Sequence, residues 1–173
     1  MAIVPDTKNW TWVLERECPE CGFDSSATAA AEVPGLLRAN AAAWPAVLER
    51  ADAAVRPDEA TWSALEYGAH VRDVFRIFRV RLALMLDQDD PEFPNWDQDV
   101  TAVEERYNEQ DPAIVSAELT SAAAALADAL ESVPQDAWDR RGFRGDGSAF
   151  TVDTLARYFI HDPVHHLHDV KGD

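Results

Sequence analysis

Cysteine, basic residues and long apolar runs are all scarce in this sequence of 173 residues. Its two cysteines exclude a framework of several disulfides. Lysine and arginine number 15 against 32 acidic residues, so the formal net charge is -17. That balance excludes the concentrated positive charge of a nucleic-acid surface, and it disfavours an anionic membrane as partner. No apolar run reaches the roughly 18 residues of a transmembrane helix. The first residues lack the pattern of a signal peptide, so we expect a cytoplasmic protein.

Apolar residues are abundant, at 47% of the chain, and they recur at helical spacing over long stretches. Their number excludes an intrinsically disordered chain, and the length predicts a single domain over residues 1–173. The segment 1–32 has no such periodicity and is predicted to be irregular. No convincing strand pair is evident, so the fold class is all-α, a four-helix bundle. The predicted helices cover residues 34–50, 58–86, 112–133 and 151–170, with a short helix at 100–107 and a possible small hairpin at 140–147.

Four of the five histidines are clustered between His161 and His168. At about 100° per residue, His161 and His165 share one helical face, and His166 points about 140° away from His161. His70 lies inside the second predicted helix, which can face the last one. Three imidazoles from two helices can bind zinc, nickel, copper or iron and leave positions open. We therefore predict a metal site at His70, His161 and His165, without His166. The alternative is a set of surface or hydrogen-bonded core histidines.

Two segments around these histidines resemble a known family. Trp62–Val74, which contains His70, and His161–Leu167 resemble the DinB family of four-helix bundles. Related groups are the YfiT-type metal-dependent hydrolases and the mycothiol-dependent maleylpyruvate isomerases. The resemblance extends over about residues 33–170 and implies a DinB/YfiT-like bundle with an irregular N-terminal segment.

The resemblance also implies ligands and chemistry. One ligand comes from the second helix and two, four residues apart, from the last helix, and these positions match His70, His161 and His165. The implied cofactor is a divalent transition metal, zinc or nickel, with a mycothiol-type thiol as possible co-substrate. The implied activity is a thiol S-transferase or isomerase acting on a small molecule, in a possible homodimer. A metal-dependent hydrolase and a non-enzymatic, stress-related binding protein with a structural or incidental metal remain alternatives.

The cysteine pair Cys18 and Cys21 has a spacing seen in redox motifs and in zinc sites. A thioredoxin-type motif requires a βαβ setting, which the sequence does not predict. Half a zinc site requires two more ligands, for which His166 and His168 are conceivable. The alternative is a loop tether without chemistry.

Five charged residues near the predicted site allow two interpretations each. Arg72, Arg76 and Arg144 can bind an anionic substrate, or they can pair with the many acidic residues, which we favour. Glu66 and Asp73 flank His70 and can orient its ring, and Glu66 can act as a base. Both can equally be salt-bridged carboxylates.

Overall fold

The structure is a computed structural model that describes residues 9–171, so residues 1–8 of the predicted irregular segment lie outside it. The described chain is mainly helical, which confirms the predicted all-α class. Its helices are α1 (Val33–Leu48), α2 (Ala64–Asp87), α3 (Gln98–Glu104), α4 (Pro112–Glu131) and α5 (Val152–Lys171). Short 3-10 helices lie at Trp10–Leu14, Ala30–Glu32 and Tyr107–Glu109, and strands at β1 (Glu92–Phe93), β2 (Arg141–Arg144) and β3 (Ala149–Thr151).

The four long helices α1, α2, α4 and α5 form the predicted bundle. Both α4 and α5 pack along α1 and along α2, whereas α1 and α2 touch each other much less. Helices α1 and α2 therefore occupy opposite corners, although they follow one another in the chain. The centre is filled by large apolar side chains from all four helices, among them Trp44, Phe75, Leu119 and Phe159. This arrangement makes α2 and α5 neighbours.

The start of α2 differs from the prediction. The sequence predicted a helix from residue 58, where Asp58 is a possible N-cap, but α2 begins at Ala64. Ser63 and Glu66 form a reciprocal capping box, because the Ser63 hydroxyl accepts from Glu66 N at 3.2 Å and a Glu66 oxygen accepts from Ser63 N at 2.8 Å. Asp58 instead accepts from the backbone of Ala60 in the preceding turn. Asp58 and Ser63 are both possible N-caps in the sequence, and Ser63 is the one that caps α2.

A small three-stranded sheet, in the order β1-β2-β3, lies beside the bundle. Strands β2 and β3 are antiparallel and form the hairpin expected near residues 140–147. Strand β1 pairs with β2 in parallel and was not predicted, since two residues carry no recognisable alternation. The expectation of no convincing strand pair is therefore wrong for these short strands. The sheet joins the chain that follows α2 to the chain that precedes α5.

Helix α4 is long and apolar enough, by length and composition alone, to cross a membrane. This is weak evidence, because core helices of globular proteins have the same composition. Here Val115, Leu119 and Leu126 point into the bundle core.

Gly142 lies where the sheet meets the bundle. A Cβ atom there would lie 2.7 Å from Met85 Cγ and 2.8 Å from Phe93 Cε1, both in buried side chains. We expect Gly142→Ala to lower the free energy of unfolding by about 1–3 kcal/mol through overpacking. The matched control is Gly35→Ala in α1, where a Cβ meets no atom within 4 Å. It should leave stability unchanged or raise it by about 0.4–1 kcal/mol. Urea unfolding of both variants measures the difference, and equal effects would contradict the packing explanation.

Candidate metal centres

Helix α5 contributes to two groups of side chains of the types that ligate metals. In each group the candidate ligand atoms all lie within 4.8 Å of one another. The thiol–imidazole cluster consists of Cys18, Cys21, His161 and His165, and the cavity cluster consists of His70, Asp162 and His166.

The cavity cluster is centred on the carboxylate of Asp162. Its two oxygens lie 3.2 and 3.4 Å from His70 Nε2, and Oδ1 lies 3.8 Å from His166 Nε2. The other ring nitrogen of His166 lies 3.1 Å from Asp169. A carboxylate that holds the far nitrogen fixes the direction of the near one, as around most metal-bound histidines. Two imidazole nitrogens and a carboxylate thus converge on one point.

The cavity cluster is buried on one side and open on the other. His70 is fully buried, with Trp96 stacked on its ring at 5.2 Å between centroids and Trp62 tilted against it at 5.5 Å. The side chains of Asp162 and His166 are 33% and 17% exposed and face a cavity. A metal bound by these side chains would therefore be reachable from the cavity.

That cavity has a volume of about 720 Å³ and is bordered by residues of both clusters. Arg81 and Arg144 also line it. Arg144 donates to Asp146 and to Tyr158, whereas the Arg81 guanidinium donates to the carbonyl of Pro94. Burial and the neighbouring Arg144 lower the pKa of Arg81 to about 10, so Arg81 stays charged at neutral pH. The cavity thus combines a wall of candidate metal ligands with a buried cation.

The pKa values of Asp162 and His161 favour the protonation states in which these side chains ligate metals. Burial acts to raise the pKa of Asp162, but the neighbouring His70 and His166 outweigh it and bring the pKa to about 2. Burial and the neighbouring His165 lower the pKa of His161 to about 4. At neutral pH Asp162 is therefore anionic and His161 is neutral.

The thiol–imidazole cluster joins the N-terminal segment to α5. Cys18 Sγ lies 3.7 Å from His165 Nδ1, and Cys21 Sγ lies 3.7 Å from His161 Nε2. Burial raises the pKa of Cys21 to about 11, so this thiol is protonated at neutral pH without a metal. The cysteine pair thus lies beside His161 and His165, and not beside His166 and His168, which were conceivable ligands from the sequence.

The structure divides the predicted metal set His70, His161 and His165 between the two clusters. The helical wheel separated His166 from the face of His161, and the structure does place them apart. Sequence reasoning missed Asp162, because it considered only imidazoles in the last helix. The signal was present: Asp162 and His166 are also four residues apart, and carboxylates are ordinary zinc ligands.

Comparison with known proteins places the fold. The sequence model of the DinB superfamily matches residues 36–170. The chain belongs to the DinB superfamily.

The fold is also similar to a solved member of this kind of bundle. YfiT from Bacillus subtilis, described as a probable metal-dependent hydrolase with an unusual four-helix bundle topology, superposes with a TM-score of 0.65. The two chains are 17% identical, and the match covers 99% of this chain and 93% of YfiT. At this identity the likeness shows the fold alone, and it confirms the predicted DinB/YfiT-like bundle. No curated protein matches the sequence.

In this DinB-superfamily chain, Glu66 has a structural role. Besides the capping box with Ser63, it accepts hydrogen bonds from the Arg56 guanidinium. These contacts lower the pKa of Glu66 despite its burial, so it is an ionised, fully engaged carboxylate. The geometry therefore favours the salt-bridged interpretation over a catalytic base.

Asp73 is the centre of a second structural network. It accepts from the Arg72 guanidinium at 2.9 and 3.0 Å and from the Tyr107 hydroxyl at 2.6 Å. Arg72 and Arg76 also pair with Glu118 on α4. Both arginines thus join elements of the bundle, in agreement with the favoured interpretation.

We expect Asp73→Asn to lower the free energy of unfolding at pH 7 by about 1–3 kcal/mol. The amide carries no charge and therefore weakens the hydrogen bonds that Arg72 and Tyr107 donate to this side chain. Burial acts to raise the pKa of Asp73, but the bonds from Arg72 and Tyr107 outweigh it and lower the pKa. The contribution is therefore complete above the ordinary carboxyl pKa and is lost as pH falls through the depressed one.

Urea unfolding at several pH values measures this effect. The difference between wild type and Asp73→Asn should shrink toward low pH. Arg38 supplies the control. Arg38→Gln breaks only exposed pairs, with Asp128 and Glu131, and should leave the free energy of unfolding almost unchanged at every pH. A pH-independent difference would contradict an ionised Asp73.

Proposed function

We propose that the protein is a metal-dependent enzyme whose metal is held by His70, Asp162 and His166. The observation that carries this proposal is the convergence of two imidazole nitrogens and a carboxylate oxygen, all within 4.8 Å of one another, at the wall of a cavity. Relative to the predicted set, His70 is kept, and Asp162 and His166 take the places of His161 and His165.

The donor set fits a divalent transition metal. Two imidazoles and one carboxylate suit zinc or nickel, and they leave at least one position for water or substrate. A metal there would supply a Lewis acid that lowers the pKa of a bound water or thiol. The rings of Trp96 and Trp62 pack against His70, and Asp169 lies beside His166, so the protein itself fixes both imidazoles.

The cavity supports a small substrate that carries a negative charge. Four of the six carboxylates that border it already have a basic partner: Asp146 pairs with Arg144, and Glu20, Asp162 and Asp169 lie beside imidazoles. Within residues 9–171, no carboxylate forms an ion pair with Arg81. A carboxylate group of a substrate can therefore bind Arg81.

Two reactions compete for this site. The leading one is thiol transfer or isomerisation with a mycothiol-type thiol, and the second is hydrolysis, which the description of YfiT supports. Both need a reachable metal position, which the exposure of Asp162 and His166 supports. A structural metal usually has all its positions filled by protein ligands, so an open site does not favour the non-enzymatic alternative. The homodimer and the cytoplasmic location remain predictions.

We expect His166→Ala and Asp162→Asn each to remove one divalent metal per chain. The matched control is His168→Ala, which removes an imidazole of the same helix that belongs to neither cluster. It should keep the full metal content. Elemental analysis after reconstitution with zinc measures the stoichiometry. Full metal content in both cluster variants would contradict the proposed cavity site.

A cobalt-substituted sample separates the two reactions. If a thiol binds the metal of the cavity cluster, adding mycothiol should increase the sulfur-to-cobalt charge-transfer absorption, because a metal favours the thiolate over the protonated thiol. The increase should be absent from His166→Ala. An unchanged spectrum at millimolar mycothiol would exclude the thiol reaction and favour hydrolysis.

A further inference from the structure

The thiol–imidazole cluster has no part in the proposed reaction, yet it brings together residues that are 140 or more positions apart in the chain. We propose that Cys18, Cys21, His161 and His165 form a second metal site, a closed structural zinc site. It would fasten the N-terminal segment to α5.

The distances within the cluster match those of tetrahedral zinc. Zinc–sulfur bonds of about 2.3 Å and zinc–nitrogen bonds of about 2.0–2.1 Å, at a tetrahedral angle, place sulfur and nitrogen about 3.5–3.6 Å apart. Both sulfur–nitrogen pairs are 3.7 Å apart, Cys18 with His165 and Cys21 with His161. Two thiol–imidazole hydrogen bonds would also give such distances. They do not explain why all four ligand atoms lie within 4.8 Å of one another.

The loop that carries the cysteines is already folded as a chelating turn. Gly22 N donates to Cys18 O at 2.9 Å, and Cys18 N donates to Phe23 O at 2.9 Å. Gly22 has a φ of +73°, a conformation that favours glycine and reverses the chain directly after Cys21. These bonds close the turn and bring both thiols to the side that faces α5.

The imidazole of His165 is oriented as a metal ligand usually is. Its Nδ1 faces Cys18, while Nε2 lies 3.4 Å from Glu20 and 3.7 Å from Asp169. A carboxylate behind the far nitrogen favours the tautomer whose near nitrogen carries the lone pair. The same feature accompanies His166 in the cavity cluster.

The four protein ligands would complete a tetrahedral zinc, so this site has no position for substrate. Cys18 is fully buried, and Trp10 covers both imidazoles with centroid distances of 5.3 and 5.4 Å. Trp10 and Glu20 also border the cavity. The zinc would therefore hold one wall of the cavity in place and stabilise the fold.

Metal-free protein, reduced and then reconstituted with zinc alone, provides the first test. In His166→Ala, which lacks a ligand of the cavity cluster, one zinc per chain should remain. Adding Cys18→Ser and Cys21→Ser to that variant should remove it. The cobalt form of His166→Ala should show thiolate charge-transfer absorption, and the cysteine variants should lose it. An unchanged zinc content in the cysteine variants would overturn the proposal.

The second test uses the wild-type chain and holds even if the cysteine variants fail to fold. An organomercurial that titrates both thiols should release one zinc per chain in step with the reaction. Reaction of both thiols without zinc release would overturn the proposal. If the cavity cluster binds no metal, wild type holds one zinc instead of two. The cysteine variants and the organomercurial should still remove that zinc, so failure of the proposed function can be told apart from failure of this proposal.

Discussion

Both candidate metal centres depend on the geometry of a single helix. Helix α5 turns by about 100° per residue, so side chains four positions apart share a face and neighbouring ones do not. His161 and His165 therefore meet the cysteine loop, while Asp162 and His166 meet His70 on α2. The α5 ligands of one cluster are thus offset by a single position from those of the other. Any shift of α5 along its axis would disturb both at once.

The register of α5 is held by an interaction from α1. Pro163 lies in the sequence between the two α5 ligands of each cluster, and its carbonyl accepts from Asn40 Nδ2 at 2.8 Å. The side-chain oxygen Oδ1 of Asn40 in turn accepts from Trp44 Nε1 at 3.1 Å, and both side chains are buried. A buried amide with both of its sides engaged permits little displacement. Helix α5 continues through Pro163. The hydrogen bond from Asn40 therefore holds α5 in the turn that contains the ligands of both clusters.

The other wall of the cavity depends on where α2 begins and on the small sheet. The capping box of Ser63 and Glu66 sets the first turn of α2, and His70 follows on the same helix. Arg81 lies further along α2 and reaches the carbonyl of Pro94, directly after β1. The sheet thus positions the connection that carries Trp96 over His70. This wall of the cavity therefore depends on a local feature, the capping box, and on a tertiary one, the pairing of β1 with β2.

The amino-acid sequence by itself determined the fold class, the four long helices and the separation of His166 from His161, because helical periodicity is a local property. It also contained the cysteine pair at a spacing that is seen in zinc sites. Only the tertiary structure decided the partners. The position of α2 beside α5 joins His70 to Asp162 and His166, and the loop that packs on α5 joins the cysteines to His161 and His165. Such pairings depend on which helix faces meet across the bundle, and that follows from packing between distant segments.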